Sequence, residues 1–324
     1  MKQETILSGI RATGNLHIGN YLGALKQYVD LQNDPKNKCY FFVADLHAIT
    51  TPFEPKQLRE NTLSVVADYI AAGINPDKST IFIQSHVLEH AELAWIFNCI
   101  TQLSELERMT QYKDKAKEHK DNINAGLLMY PTLMAADILL YKPSMVPVGD
   151  DQTQHLELAR DVARKFNKRF GNVFPEPKNF MLKPLRIKSL KNPLKKMSKT
   201  GDDPLYLDDT PADIHAKLKK AVTATGSEGS KGVENLMFLL EQFGDPSLVG
   251  QFRGAIKDES IKYSELKTVL ADAISDHFAD FRKKKKELLA DKQHLAQILT
   301  DGAERARNIA HETMFEVKQK IGLL

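Results

Sequence analysis

Short, almost continuously apolar runs alternate with helix-patterned segments from the beginning of the chain, and this alternation restricts the fold more than any other feature. Residues 5–8 (TILS), 40–44 (YFFVA) and 80–84 (TIFIQ) read as strands, and helices are expected from Gly19, over residues 55–72 and from Glu89. Strands joined through helices run in the same direction, so they build a parallel sheet from βαβ units. Strands that are apolar on both faces belong to a sheet covered by helices on both sides. Ligands on such sheets sit beyond the carboxyl ends of the strands, which draws attention to the loops after Ser8, Ala44 and Gln84.

Farther along, residues 101–142 turn helical around a charged stretch at 108–120, as an insertion into the sheet would. A strand is expected at 145–148, a helix over 151–170, and then a loop rich in Pro and Asn that leads to a strand-like 185–189. Beyond 200 the pattern is helical, with breaks at 226–232 (GSEGSKG), 243–246 (FGDP) and 301–302. A chain of 324 residues exceeds what one core usually serves. The division expected is an α/β catalytic domain over 1–200, an all-helical domain over 201–302, and a C-terminal helix over 303–324 packing back on the first domain.

Charge is nearly balanced, 45 Lys+Arg against 42 Asp+Glu, so a polyanionic partner would need local clustering; 282–286 (RKKKK) is the only dense run. Two cysteines, Cys39 and Cys99, with no Cys-x-x-Cys pattern, argue against a zinc or iron–sulfur site and fit a reducing compartment. No run approaches the roughly 18 apolar residues of a membrane span, and the first residues lack the apolar stretch of a signal peptide. A cytoplasmic protein without membrane contact is expected.

Three segments carry chemistry. The first, 8–25 (SGIRATGNLHIGNYLGAL), leaves a strand and enters a helix through Gly19 and Asn20. Unpaired N–H groups and partial positive charge at such a helix start suit a phosphate, and glycine admits a nucleotide close to the backbone. The spacing is neither Gly-x-Gly-x-x-Gly nor Walker A. His17 and Asn20 lie three residues apart, where both side chains can donate to phosphate oxygens; the plainer alternative is a helix cap with the histidine facing solvent. The second segment is Lys195, Lys196, Met197, Ser198, Lys199 and Thr200. Ammonium groups there either follow departing phosphates or stay simply solvated. In the third, every residue of 133–141 is apolar except Asp137. A buried carboxylate needs donors, and either a ligand N–H or an arginine or lysine from another helix would serve.

His17, Ile18, Gly19 and Asn20 resemble the HIGH motif of class I aminoacyl-tRNA synthetases, and 196–200 (KMSKT) resembles their KMSKS motif. The segment 127–170, with Met-Ala-Ala-Asp at 134–137 and Val-Pro-Val-Gly-Asp-Asp-Gln at 146–152, is similar to the tryptophanyl-tRNA synthetase family, as are 45–50, 73–76 and 105–111. The resemblance covers essentially the whole chain. It implies a Rossmann-like catalytic domain with a helical insertion and an all-helical anticodon-binding domain. The activity it implies is ATP-dependent formation of tryptophanyl-adenylate and transfer of tryptophan to tRNA(Trp).

By the same resemblance, Asp137 accepts the indole N–H. Tyr130, Met134, Ile138, Val146 and Val148 line or support the pocket, and His47 and Gln152 help hold the polar end of L-tryptophan. Arg11, Ala12, Thr13, Gly19 and Asn20 touch ATP, Gly149, Asp150 and Asp151 face its ribose, Ile187 meets adenine, and Lys196, Met197, Ser198, Lys199 and Thr200 close over the triphosphate. His17, Lys196 and Lys199 neutralise charge in the transition state, with Lys113 and Lys115 as weaker phosphate candidates. Mg2+ is expected to come with ATP, no zinc or iron–sulfur cluster is expected, and a homodimer joined through the first domain is implied.

Three departures matter. Arg11 stands where the family often has Gln, and it is expected to add charge near the α-phosphate or the substrate carboxylate. Thr200 then Gly201, Asp202, Asp203 and Pro204 replace the usual Ser-Asp-Pro. Relatives that hold an iron–sulfur cluster do so in the C-terminal region, where this chain has no cysteine. The rival within the same class is the tyrosyl enzyme, which shares fold and signatures; a phenol O–H also donates to an aspartate, so Asp137 alone does not decide. The Met134–Ala136 context and the Val-Pro-Val-Gly string favour tryptophan. A synthetase-like paralogue that binds without charging tRNA is the other alternative.

Overall fold

The computed structural model describes residues 3–118, 123–181, 185, 187–197, 204–223 and 230–324. Its strands are β1 (Glu4–Arg11), β2 (Asn37–Ala44), β3 (Ser79–Ile83), β4 (Met145–Val148) and β5 (Lys178–Met181). The helices of the first half are α1 (Ile18–Asn20), α2 (Lys26–Asn33), α3 (Pro55–Ala71), α4 (Glu89–Asn98), α5 (Leu103–Glu107), α6 (Thr110–Glu118), α7 (Ala125–Leu140) and α8 (Thr153–Phe170). Those of the second half are α9 (Pro211–Lys219), α10 (Ser230–Phe243), α11 (Pro246–Lys257), α12 (Tyr263–His277), α13 (Ala279–Ala290) and α14 (Lys292–Ile321).

The five strands are all parallel, in the order β3-β2-β1-β4-β5. Ile6 pairs with Cys39 of β2 on one side and with Met145 of β4 on the other. The chain therefore steps outward from β1 to β3 and returns beside β1, which makes the carboxyl ends of β1 and β4 the switch point. Arg11 ends the first of these strands and Gly149 follows the second. The expected Rossmann-like α/β architecture is the one present.

Contacts divide the backbone into two compact units. The first comprises Met1–Thr13, Gln27–Pro184 and Leu288–Leu324, and the second Gly14–Lys26 and Leu185–Glu287. These cuts differ from sequence divisions at 200 and 302. Residues 14–26 go with the second unit because Ile18 N–H donates to Leu205 C=O and Leu207 N–H to Leu16 C=O, both at 2.9 Å. In the first unit, Ile6, Leu7, Tyr40, Phe42, Phe82, Phe97, Leu139 and Phe166 are buried. The inward face of α8 repeats at helical spacing through His155, Leu156, Ala159, Val162, Ala163 and Phe166. In the second unit, α9 and α10 pack on α12. Its α9 begins where Thr210 and Asp213 cap each other reciprocally and Pro211 presets the first turn.

Three sequence expectations differ from this fold. The fifth strand lies in the stretch read as a Pro- and Asn-rich loop, because 178–181 pairs residue by residue with β4. The strand-like 185–189 is not in the sheet; Lys188 instead forms an isolated antiparallel bridge with Lys196. No break occurs at 301–302, since α14 runs unbroken from Lys292, eleven residues before the expected start at 303. Gly302 is there for close approach: a Cβ at this position would lie 1.8 Å from the carbonyl oxygen of Ile81 in β3.

Candidate active site

In the first unit, α7 places Tyr130, Met134 and Asp137 on one face at i, i+4 and i+7. The helix is capped by the Asn124 side chain, which accepts from Leu127 N–H at 2.9 Å. Asp137 is 1% exposed, and its donors come from three other segments of the chain. Gln84 Nε2, just past β3, donates to Oδ1 at 2.7 Å, and His90 Nδ1 of α4 approaches the same oxygen at 2.6 Å. His47 Nε2, in the loop after β2, faces Oδ2 at 2.7 Å. An ionised carboxylate only accepts, so both histidines present N–H to it. Burial alone would raise the Asp137 carboxyl, but the charge and hydrogen bond of His47 and those of His90 outweigh it and hold it at about 2.

This corrects the sequence picture of a lone acid. Among the described residues neither an arginine nor a lysine meets Asp137, and no ligand is required to satisfy it; two histidines and a glutamine do so. A carboxylate offers about four lone-pair positions, and these three donors leave one on Oδ2.

Around this centre the expected residues sort into distinct surroundings. Arg11 donates from its terminal nitrogen to His47 C=O at 3.0 Å, and burial lowers its guanidinium pKa. The His47 ring stands edge-on to Tyr130 at 6.1 Å between centroids. Burial pushes the Tyr130 phenol up to about 12, with Arg11 pulling the other way. The Tyr130 hydroxyl meets His155 Nε2 at 3.1 Å. Burial first, then the charges of His47 and Lys115, hold His155 down to about 4, so this imidazole is neutral near pH 7. Lys115 is placed 4.8 Å above the Tyr130 ring. Ile138, Val146 and Val148 are buried in one apolar cluster, with Met134 half-buried against it. Ala12 is buried, and Thr13 N–H turns back onto Arg11 C=O at 2.8 Å. Gln152 Nε2 donates to Asp151 Oδ2 at 2.7 Å, and Gly149 and Asp150 lie just before them, where α8 begins. A Cβ at Gly149 would crowd Asp151 at 2.9 Å.

In the second unit, His17 is buried and caps α1. Its Nδ1 accepts from Gly19 N–H at 3.0 Å, while His17 N–H donates to Asn20 Oδ1 at 3.1 Å. The imidazole lies so close over Gly19 that a Cβ there would come within 2.7 Å of it. His17 thus caps the helix, but as a buried ring and not one facing solvent; with Nδ1 accepting, the neutral ring carries its proton on Nε2. The described lysine segment is a small hairpin, in which Met197 N–H donates to Ile187 C=O and Ser189 N–H to Lys195 C=O, both at 2.9 Å. Ile187 and Met197 point inward and Lys196 is exposed. Ser198, Lys199 and Thr200 lie outside the described residues.

Five residues here were not singled out from sequence: Gln84, His90 and Tyr141 near Asp137, His155 beside Tyr130, and Asn235 of α10. The Asn235 amide accepts from Lys188 N–H at 3.1 Å and donates to Lys188 C=O at 3.2 Å, clamping the hairpin to the helix. Gln84 had left one visible signal, a polar side chain closing an apolar strand run.

The model of the tRNA synthetases class I (W and Y) matches residues 2–291. The tryptophan–tRNA ligase of Caldanaerobacter subterraneus is 46% identical over 334 residues, covering 99% of each chain. That of Clostridium tetani is 44% identical, covering 99% of this chain and 96% of its own. The chain belongs to the tryptophan–tRNA ligases. Among solved structures, the tryptophanyl-tRNA synthetase of Campylobacter jejuni complexed with ADP and tryptophan superimposes with a TM-score of 0.88. It is 34% identical, over 98% of this chain and 99% of that one. As a tryptophan–tRNA ligase the chain is an aminoacyl-tRNA-forming enzyme of a family that uses ATP. The amino-acid residues expected for this family lie on the first unit, and both its signature motifs begin on the second.

Proposed function

We propose that the remaining lone pair of Asp137 Oδ2 accepts the indole N–H of L-tryptophan, and that this acceptor sets the amino acid used. The observation that carries the reading is the hold of Gln84, His90 and His47 on Asp137, which keeps it ionised while buried and leaves one acceptor position. Met134 and Tyr130 share its helix face and would flank the ring; Gln152 and the carbonyl-anchored Arg11 would hold the ammonium and carboxylate.

A tryptophan carboxylate oxygen then attacks the α-phosphorus of ATP, the bond from that phosphorus to the bridging oxygen breaks, and pyrophosphate leaves. In the second step a hydroxyl of the terminal tRNA ribose attacks the activated carbonyl, loses its proton and expels AMP. His17, Lys196 and Lys199 would offset the charge that builds on the phosphates, which stabilises the transition state more than the bound substrate. Ala12, Thr13, Gly19, Asn20, Gly149, Asp150, Asp151 and Ile187 are the residues the family resemblance assigns to the nucleotide. Among the described residues no cluster of three His, Cys, Asp or Glu is placed to hold a metal ion. Magnesium would come with ATP and supply charge neutralisation at the phosphates.

The helical part would contact tRNA. Among the lysines of 217–220 and 282–286, Lys217 is engaged by Asp209 at 2.6 Å and the buried Lys285 by Asp208 at 2.8 Å. The exposed Lys219, Lys220, Lys283, Lys284 and Lys286 are the ones to track phosphates. A second copy would cover the apolar surface of the first unit, where Leu88 is 77% and Trp95 67% exposed at α4 and Phe315 stands on the neighbouring α14. A cytoplasmic enzyme fits this reading. Pyrophosphate exchange with tryptophan and with tyrosine, followed by charging of tRNA(Trp), tests it. Exchange with tyrosine alone, or exchange without charging, would refute it.

A further inference from the structure

The Asp137 carboxylate is held by more than proximity. An aspartate side chain swivels easily about its last bond, since that torsion has only broad minima. Here both oxygens are engaged from separate segments, which fixes the plane of the group. Gln84 cannot turn its amide over, because its Oε1 accepts from Leu46 N–H at 3.1 Å while its Nε2 donates to Asp137. His90 is held from the other side. Its Nδ1 faces Asp137 Oδ1, and its Nε2 lies 2.9 Å from the Tyr141 hydroxyl, which holds the far side of the ring. His90 is fully buried and Tyr141 nearly so. The phenol, imidazole and carboxylate form a hydrogen-bonded chain, with the ring N–H at Nδ1 pointing to the acid.

We infer that Gln84 and His90, with Tyr141 behind His90, are positioning residues for substrate selection. They fill both acceptor places of Asp137 Oδ1, so the carboxylate presents a single outward lone pair, on Oδ2, to an N–H donor. This rests on the reading of Asp137 as the indole acceptor. None of the three needs to touch substrate. Their effect is to fix the direction in which that acceptor points and to keep the acid from rotating toward a donor placed elsewhere. Loss of the Tyr141 hydroxyl leaves His90 Nε2 without its partner and frees the ring to tilt away from the carboxylate.

The test compares tryptophan with 3-(benzothiophen-3-yl)alanine, in which sulfur replaces the ring N–H, as substrates for pyrophosphate exchange by the full-length enzyme. Wild type, His90→Leu and Tyr141→Phe are measured. A charge-assisted hydrogen bond is worth about 10- to 150-fold, and the wild type is expected to prefer tryptophan by that factor in kcat/KM. His90→Leu should bring the ratio close to one by losing activity on tryptophan while the analogue changes little. Tyr141→Phe should give an intermediate ratio. Equal losses on both substrates would mark His90 as a merely structural residue and overturn the inference, with the Asp137 reading intact. A wild type that does not discriminate would instead overturn that reading, and the inference with it. If His90→Leu does not fold, Tyr141→Phe decides: it removes one oxygen, and an unchanged ratio contradicts the proposed chain.

Discussion

His47 Nε2 lies 2.7 Å from Asp137 Oδ2, and the carbonyl oxygen of the same His47 takes a hydrogen bond from Arg11 at 3.0 Å. One loop residue thus ties the end of β1 to the buried acid of α7. Replacing His47 by Ala removes the largest influence that lowers the Asp137 carboxyl against burial. The expected result is a rise in KM for tryptophan of about tenfold or more, with KM for ATP much less changed, in pyrophosphate exchange.

His155 gives a distinct pH dependence. Its folded pKa of about 4 lies below the ordinary histidine value of about 6.5. Between those values the unfolded chain takes up a proton that the folded chain refuses. The contribution is therefore fully present above pH 6.5 and is lost as pH falls through 4, amounting to roughly 3 kcal/mol. Denaturant unfolding across pH 4–7 should show this loss in the wild type and a smaller one in His155→Gln.

Gly302 tests the packing of α14 on β3. With a Cβ due 1.8 Å from the Ile81 carbonyl oxygen, backbone must move to admit even alanine. Gly302→Ala is expected to destabilise by about 1–3 kcal/mol despite the better helix propensity of alanine. A thermal melt at or above the wild-type midpoint would contradict this close approach.

Asn235 joins α10 to the backbone of Lys188, across the hairpin from Lys196. Asn235→Ala should raise KM for ATP or lower kcat of adenylate formation by about tenfold, since two hydrogen bonds of roughly 1 kcal/mol each are lost. Tryptophan binding at equilibrium should be unaffected.

Much of the fold could be read from the chain because each signal was local. Apolar runs at 40–44 and 80–84 and the intervening helix with Pro55 at its first position leave few alternatives. What was hidden depends on partners distant in sequence. The strand at 178–181 is short and takes its identity from pairing with β4. Gly302 resembles a helix end until Ile81 is seen beside it. At the site, family resemblance pointed to Asp137, but its donors, 47 and 53 residues away for His90 and Gln84, carry no periodic mark that would connect them to it.

The most direct measurement is tryptophan-dependent exchange of pyrophosphate into ATP by the wild type beside Asp137→Asn. The amide removes the charge and turns one acceptor into a donor that faces the donors of His47 or of His90 and Gln84. The account predicts a fall in kcat/KM for tryptophan of about 100-fold, from a lost charge-assisted bond and the unpaired donors left behind, with KM for ATP nearly unchanged. Wild-type kcat/KM for tryptophan in a folded Asp137→Asn enzyme would contradict it.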